Sequence, residues 1–170
     1  TITIHEAALV FLVTAIGSMS AGTVIASLRE YFPDCIIIGT DIHPKSDVRT
    51  SKKVDIFYTV PRANSSDFTT VITEVTLRHN VDLILPLTDI EVDVLSSQRI
   101  RCEVLKNRLA LSNSETIENC RDKEKVARFF SSNRNIRVIE SFTLNDIYKT
   151  KLKYPLLAKP KKGRSSEGVQ

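Results

Sequence analysis

Ala8 to Gly22 reads ALVFLVTAIGSMSAG: nine residues that are apolar but for one threonine, then a short segment bounded by two of the chain's five glycines. A mainly apolar run of that length predicts a strand buried on both faces, Ala8 to Ile16. Behind the glycines, Thr23 to Phe32 places Val24, Leu28 and Phe32 at helical spacing, and Pro33 stops the helix. Strand, glycine-bearing loop and helix together are the opening of a βαβ unit, with the helix N-terminus facing the strand's carboxyl end.

The same alternation continues outward. Cys35 to Gly39 is a second strand ending on Thr40-Asp41, and Ile42 to Lys53 is a polar connection without regular period. Asp55 to Val60 is a strand closed by Pro61. Asp67 to His79 is a helix with Phe68, Val71, Ile72 and Val75 on one face. Val81 to Pro86 is a strand, Ile90 to Arg101 a helix and Leu109 to Leu111 a brief strand. Strands joined by helices of this length make right-handed crossovers in a mainly parallel sheet covered on both faces. The expected fold is therefore α/β, Rossmann-like and doubly wound, with ligands beyond the carboxyl ends of the strands.

Near Asn119 to Lys123 the elements become shorter and more charged, which divides the chain into residues 1–119 and 120–170. Ser114 to Cys120 begins a helical region, and Asp122 to Phe130 has an amphipathic pattern. A short helix follows near Leu144 to Lys149, and Pro155 to Pro160 is a last strand.

The 170 residues are 42% hydrophobic and 26% charged, the balance of a soluble globular protein. The longest apolar stretch, Ala7 to Val13, is far short of the roughly 18 residues a membrane span needs. It has neither the basic flank nor the cleavage site of a secretory signal. Cys35, Cys102 and Cys120 are odd in number and far apart, as packed thiols of a reducing cytoplasm are. Of the net charge of +4, residues 149–170 carry +6 and the rest of the chain −2. A basic end without interleaved aromatics suits a small anionic ligand rather than nucleic acid. His5, His43 and His79 lack ligand spacing, so no metal site is expected from them.

Four places carry candidate chemistry. Gly17 to Gly22, with Ser18, sits where phosphate meets a helix N-terminus, but Met19 breaks the G-x-G-x-x-G fingerprint and Thr23 replaces the P-loop lysine. Asp41 ends the second strand where a ribose-binding acid would stand; the plainer reading is that the glycines make a tight turn and Asp41 caps a loop. In Thr88-Asp-Ile-Glu-Val-Asp93, Asp89 and Asp93 share a helix face with Glu91 turned away. They are either a ligand clamp or a capping acid with solvated neighbours. Finally, Asp122-Lys123 and Lys159-Pro160 place two lysines where both can reach one polyphosphate. The strand pattern sets Lys159 opposite Ala158, and Gly163, Ser165, Ser166 and Gly168 supply loop amides and hydroxyls.

Taken in order, Ile38-Gly-Thr-Asp41, Val60-Pro-Arg62, Val81 to Glu91, Cys120-Arg-Asp-Lys123 and Pro155 to Pro160 with Gly163 to Val169 resemble the amino-terminal portion of ATP-grasp proteins. The group most similar is the short-form carbamoyl-phosphate synthase large-subunit-like proteins. The resemblance implies a pre-ATP-grasp domain to about Asn119, followed by the start of an ATP-grasp domain. It implies that Lys123 and Lys159 contact ATP phosphates, and that Lys161 to Gly168, with Gly163, Arg164, Ser165, Ser166 and Gly168, is the lid over them. Gly17, Ser18, Asp41, Asp89 and Glu91 are then the substrate side.

The activity implied is an ATP- and magnesium-dependent ligase that makes an acyl phosphate from a carboxylate and transfers the acyl group to an amine. Homo-oligomers occur in such a family. The lid has fewer glycines than many relatives. The family's adenine-binding segment and magnesium-binding acids fall beyond residue 170, so no catalytic residue or metal ligand is assigned here. The chain is accordingly expected to be a fragment, inactive alone and without tightly bound ATP. The alternative is a non-catalytic Rossmann-like module that binds a nucleotide or regulates a partner; a nicotinamide enzyme is disfavoured by Met19.

Overall fold

In the computed structural model, residues 8–133, 135–147, 151–163 and 168 are described. The chain falls into two compact units, Thr1–Leu111 and Ser112–Gln170. The division expected at 119/120 falls inside a helix of the second unit, Ser114–Arg121.

The first unit runs β1 (Val10–Val13), α1 (Ala21–Tyr31), β2 (Ile36–Asp41), a 3-10 turn (Arg49–Lys53), β3 (Ile56–Thr59), α2 (Phe68–Arg78), β4 (Leu83–Leu85), α3 (Asp89–Gln98) and α4 (Glu103–Lys106). All strand pairs are parallel, in the order β3-β2-β1-β4. The chain steps one way from β1 to β3 and then crosses to the other side of β1 for β4. That reversal puts a topological switch point between β1 and β4, where α/β sheets of this kind hold ligands. The expected strand at 109–111 is reduced to one parallel bridge, Leu109 with Ile84.

Register explains the apolar run. Leu12 pairs with Ile38 and Ile84, and all three face a core with Phe68, Ile72, Val75 and Leu95. Phe11, Val13 and Ile37 face a second core with Ala21, Ile25 and Leu28 of α1. Both faces of β1 are thus covered, and burying each large side chain contributes about 2 kcal/mol. The helical stripe of α1 differs from the expected one. Ala21, Ile25 and Leu28 are its buried residues, while Phe32 closes the helix with φ −132° and ψ 72° and leaves the stripe. Phe32 instead meets Phe11 ring to ring at 5.3 Å. In α2 the expected Phe68, Ile72 and Val75 are buried and Val71 packs beside them. Thr76 is buried as well, its hydroxyl donating to the Ile72 carbonyl at 2.7 Å.

The second unit holds α5 (Ser114–Arg121), α6 (Lys123–Ser131) and α7 (Leu144–Ile147). Asn113 and Asp122 cap the first two, accepting bonds from Thr116 and from Glu124 and Lys125 respectively. The strand expected over Pro155 to Pro160 does not form, and Leu157 is 68% exposed. An extended segment needs a neighbour for its amides and carbonyls, and two prolines remove donors from this one. Among the described residues of this unit no strand lies beside it. Nor is any large hydrophobic residue buried among the described residues of the unit: Phe129 is 73% and Ile139 88% exposed. No helix among the described residues is long and apolar enough to cross a membrane.

Candidate functional site

At the carboxyl edge of the first unit's sheet, Asp41 is buried and both its oxygens are engaged. Oδ2 accepts from the Gly17 amide at 2.7 Å and Oδ1 from the His43 amide at 3.0 Å. The plainer expectation, a loop-capping acid, describes these two bonds, and each oxygen keeps a further lone pair. A Cβ on Gly17 would stand 2.8 Å from Asp41 Oδ2, so the missing side chain is what lets loop and carboxylate meet. Gly22 plays no such part: it lies inside α1 with nothing within 4 Å of an added Cβ. The turn is made instead at Ala15, whose φ is 48°. Ser18 stands on this loop, its hydroxyl 3.3 Å from that of Ser20, and Met19 is fully exposed.

In the acidic segment Asp89 and Asp93 share one helix face with Glu91 turned away, as expected, but Glu91 is not solvated as the plainer reading had it. Glu91 is buried, 5% exposed, while Asp89 and Asp93 face outward. The reason is the helix start. With Thr88 at the N-cap, Glu91 is the third helical residue, and its Oε2 accepts from the Thr88 hydroxyl at 2.8 Å. The same oxygen accepts from the Thr14 hydroxyl, at the end of β1, at 2.9 Å. Burial pushes the Glu91 carboxyl above its ordinary range, against the lowering effect of the Thr88 and Thr14 bonds, and the Asp41 charge adds to the rise. Thr14, Thr88 and the fully buried Thr40, whose hydroxyl has no partner, were not singled out from sequence. A signal was present for one of them: Thr88-Asp-Ile-Glu91 fits the S/T-x-x-E capping box, which turns the glutamate back toward the cap.

In the second unit, Lys123 and the segment Lys161 to Gly163 meet. The Lys123 amide donates to the Lys161 carbonyl at 3.0 Å, and Lys123 Nζ reaches the Gly163 carbonyl at 3.4 Å. Lys161 Nζ lies 2.5 Å from Glu124 and 4.0 Å from Asp122. Glu124 also pairs with Arg128. The Glu124 hydrogen bond, with the charges of Asp122 and Glu124, holds the Lys161 ammonium above its usual range. Asp122 is pushed up by burial, but the Lys125 and Glu124 amides and the Lys161 charge outweigh that and keep it below the usual carboxylate range. Lys159 is exposed beside this cluster in sequence. Gly168 has a φ of 72° and an added Cβ would stand 2.9 Å from the Pro160 ring, so glycine is required there. Arg164, Ser165 and Ser166 lie outside the described residues. Among the described residues there is no cluster of three or more His, Cys, Asp or Glu able to hold a metal ion.

No protein-family model matches the chain, and no curated protein matches it. Solved structures do. The biotin carboxylase domain dimer of the Hydrogenobacter thermophilus 2-oxoglutarate carboxylase, in complex with MgADP, ADP and bicarbonate, superposes with a TM-score of 0.71 at 17% identity, over 97% of this chain and 38% of that one. The biotin carboxylase domain of a thermophilic 2-oxoglutarate carboxylase bound to ADP without magnesium gives 0.59 at 18% identity, over 94% and 37%. The biotin carboxylase subunit of pyruvate carboxylase gives 0.51 at 14%, over 72% and 27%. At such identities the likeness is one of fold, and the chain spans well under half the length of each neighbour.

Proposed function

We propose that this chain is the amino-terminal part of an ATP-grasp ligase, which forms an acyl phosphate from a carboxylate and ATP and passes the acyl group to an amine. The observation that carries this reading is the meeting of Asp122-Lys123 with Lys161 to Gly163 in a chain that shares its fold with ADP-bound biotin carboxylase domains. The α6 amides of Glu124 and Lys125 are already taken by Asp122, so phosphate oxygens are held by lysine side chains rather than by the helix terminus. Lys123 and Lys159 supply those charges, and Gly163 and Gly168 let the backbone follow them. The described residues do not fit a magnesium site, so no step is assigned to the metal here. ATP, where bound, supplies the phosphoryl group that turns a carboxylate oxygen into a leaving group. The fixed positive charge of Lys123 stabilises the negative charge that spreads over the transferred group.

The finer assignment, to the short-form carbamoyl-phosphate synthase-like group, rests on the ordered set Ile38 to Asp41, Val60-Pro-Arg62, Val81 to Glu91 and Cys120 to Lys123. Bicarbonate, bound in a structural neighbour, is the first carboxylate to try. The test is ADP and phosphate formation by the whole protein that contains this chain, with bicarbonate and a panel of amines. Lys123→Ala and Lys159→Ala are each expected to lower kcat/KM for ATP by roughly 100-fold. Calorimetry on the 170 residues alone is expected to show weak ATP binding. Absence of ATP turnover in the whole protein, or tight magnesium-dependent binding by these residues alone, overturns the reading.

A further inference from the structure

Glu91 does more than a helix cap requires. A capping box joins residues of one helix start, but the Glu91 carboxylate also takes the Thr14 hydroxyl, 77 residues away in sequence and just past the end of β1. Thr14 follows β1 directly and opens the loop that carries Ala15, Gly17 and Ser18, while Thr88 follows β4. One oxygen therefore spans the switch point between β1 and β4. No cation forms an ion pair with Glu91 among the described residues; the Thr14 and Thr88 hydroxyls, with the Thr88 backbone amide, hold its charge. A buried carboxylate held this way is easily neutralised by a proton, because burial disfavours the charged form.

We propose that Thr14, Glu91 and Thr88 form a proton-sensitive pin across the switch point. With Glu91 charged, the end of β1 and the start of α3 are fastened together and the Gly17–Ser18 loop is held in register. With Glu91 protonated, the shared oxygen is a weaker acceptor and the β1 side loosens. The charged groups around it are few. Asp41, at the end of β2, opposes its ionisation. Asp89 and Asp93 share its helix but face outward, and Glu74 and Arg78 on α2, which packs against α3, are exposed. Just past β1 it meets only the Thr14 hydroxyl. The Thr40 hydroxyl is buried on the same sheet face, since Leu12 pairs with Ile38 and the two threonines follow two residues later. The pin is independent of whether the chain serves ATP chemistry, since it concerns residues of the first unit alone.

The test is a pH titration of the 170-residue chain followed by amide NMR. Thr14, Gly17 and Ser18 are expected to shift together, with a midpoint above the ordinary glutamate value. Glu91→Gln should abolish that shared transition. Thr14→Val separates a pin from a cap: it removes the cross-link while leaving Thr88-Glu91 in place, so the loop should stop responding while the α3 start still titrates. Asp41→Asn should keep the transition but lower its midpoint. A loop transition that survives both Glu91→Gln and Thr14→Val, or vanishes only in Asp41→Asn, overturns the proposal. Should Glu91→Gln fail to fold, Thr14→Val and Asp41→Asn decide the matter by the same criteria.

Discussion

The Gly17 amide and the Asp41 carboxylate stand 2.7 Å apart, fastening the loop after β1 to the end of β2. The contact requires that residue 17 have no side chain, since a Cβ would lie 2.8 Å from the carboxylate oxygen. Gly17→Ala is expected to destabilise the chain by about 1–3 kcal/mol. Gly22→Ala, in open space within α1, should stabilise it by about 0.5–1 kcal/mol. Urea denaturation of the two variants should therefore move the midpoint in opposite directions. Equal effects would mean that the Gly17 approach is not constrained.

Glu91 gives stability a definite pH slope. Its folded pKa is raised above the unfolded one, so the folded chain binds more protons between the two values. Stability from this residue is then greatest at acid pH and declines as pH rises from about 4.3 through the folded pKa. Glu91→Gln, which keeps an acceptor for both threonines without a buried charge, should gain on the native chain as pH rises across that window. Chemical denaturation from pH 4 to pH 8 measures the difference. A gain that shrinks with rising pH would contradict the assignment.

Asp122 behaves in the reverse sense. Its folded pKa is depressed, so its contribution is present above the unfolded value near 3.9 and lost as pH falls through the folded one. Asp122→Ala also removes the acceptor for the Glu124 and Lys125 amides at 2.9 and 3.2 Å. Hydrogen exchange at those two amides should become faster, while exchange in β1 and β2 stays unchanged. Lys161→Ala, which leaves the cap but removes the ion pair with Glu124, should have a smaller effect that disappears in high salt.

The two units should also differ in resistance to mutation. Leu12 and Phe68 are fully buried, and truncation to alanine is expected to cost about 3–5 kcal/mol. Phe129→Ala, at a position 73% exposed, should change stability by less than about 0.5 kcal/mol. Thermal melts with a probe in each unit would show it. A large loss from Phe129→Ala would mean that this ring is covered by something in solution.

Much of the fold was legible because burial on both faces of a parallel strand leaves its mark in the sequence. Within ALVFLVTAI the doubly covered strand is Val10–Val13, shorter than the expected Ala8 to Ile16 because Leu9 is exposed and the chain turns at Ala15, and Phe68, Ile72 and Val75 form one stripe of a helix as expected. The same reasoning misplaced Phe32, because it could not see where the cap would turn the chain. It set Glu91 apart from Asp89 and Asp93 on the helix, but its plainer reading left Glu91 solvated because it could not see that the turned-away face packs against Thr14.

What the sequence by itself determined is local and periodic: the order of elements, most of the faces they bury and the lysines set around a glycine-bearing segment. What only the tertiary structure decided is which distant groups meet. Asp41 is committed to Gly17 and His43, Glu91 to Thr14 and Thr88, and Lys123 to the carbonyl of Gly163. The physical reason is that hydrogen bonds act over about 3 Å, while the residues they join are tens of positions apart. Pro155 to Pro160 makes the same point from the other side: an apolar, extended sequence becomes a strand only where a neighbouring strand meets its backbone.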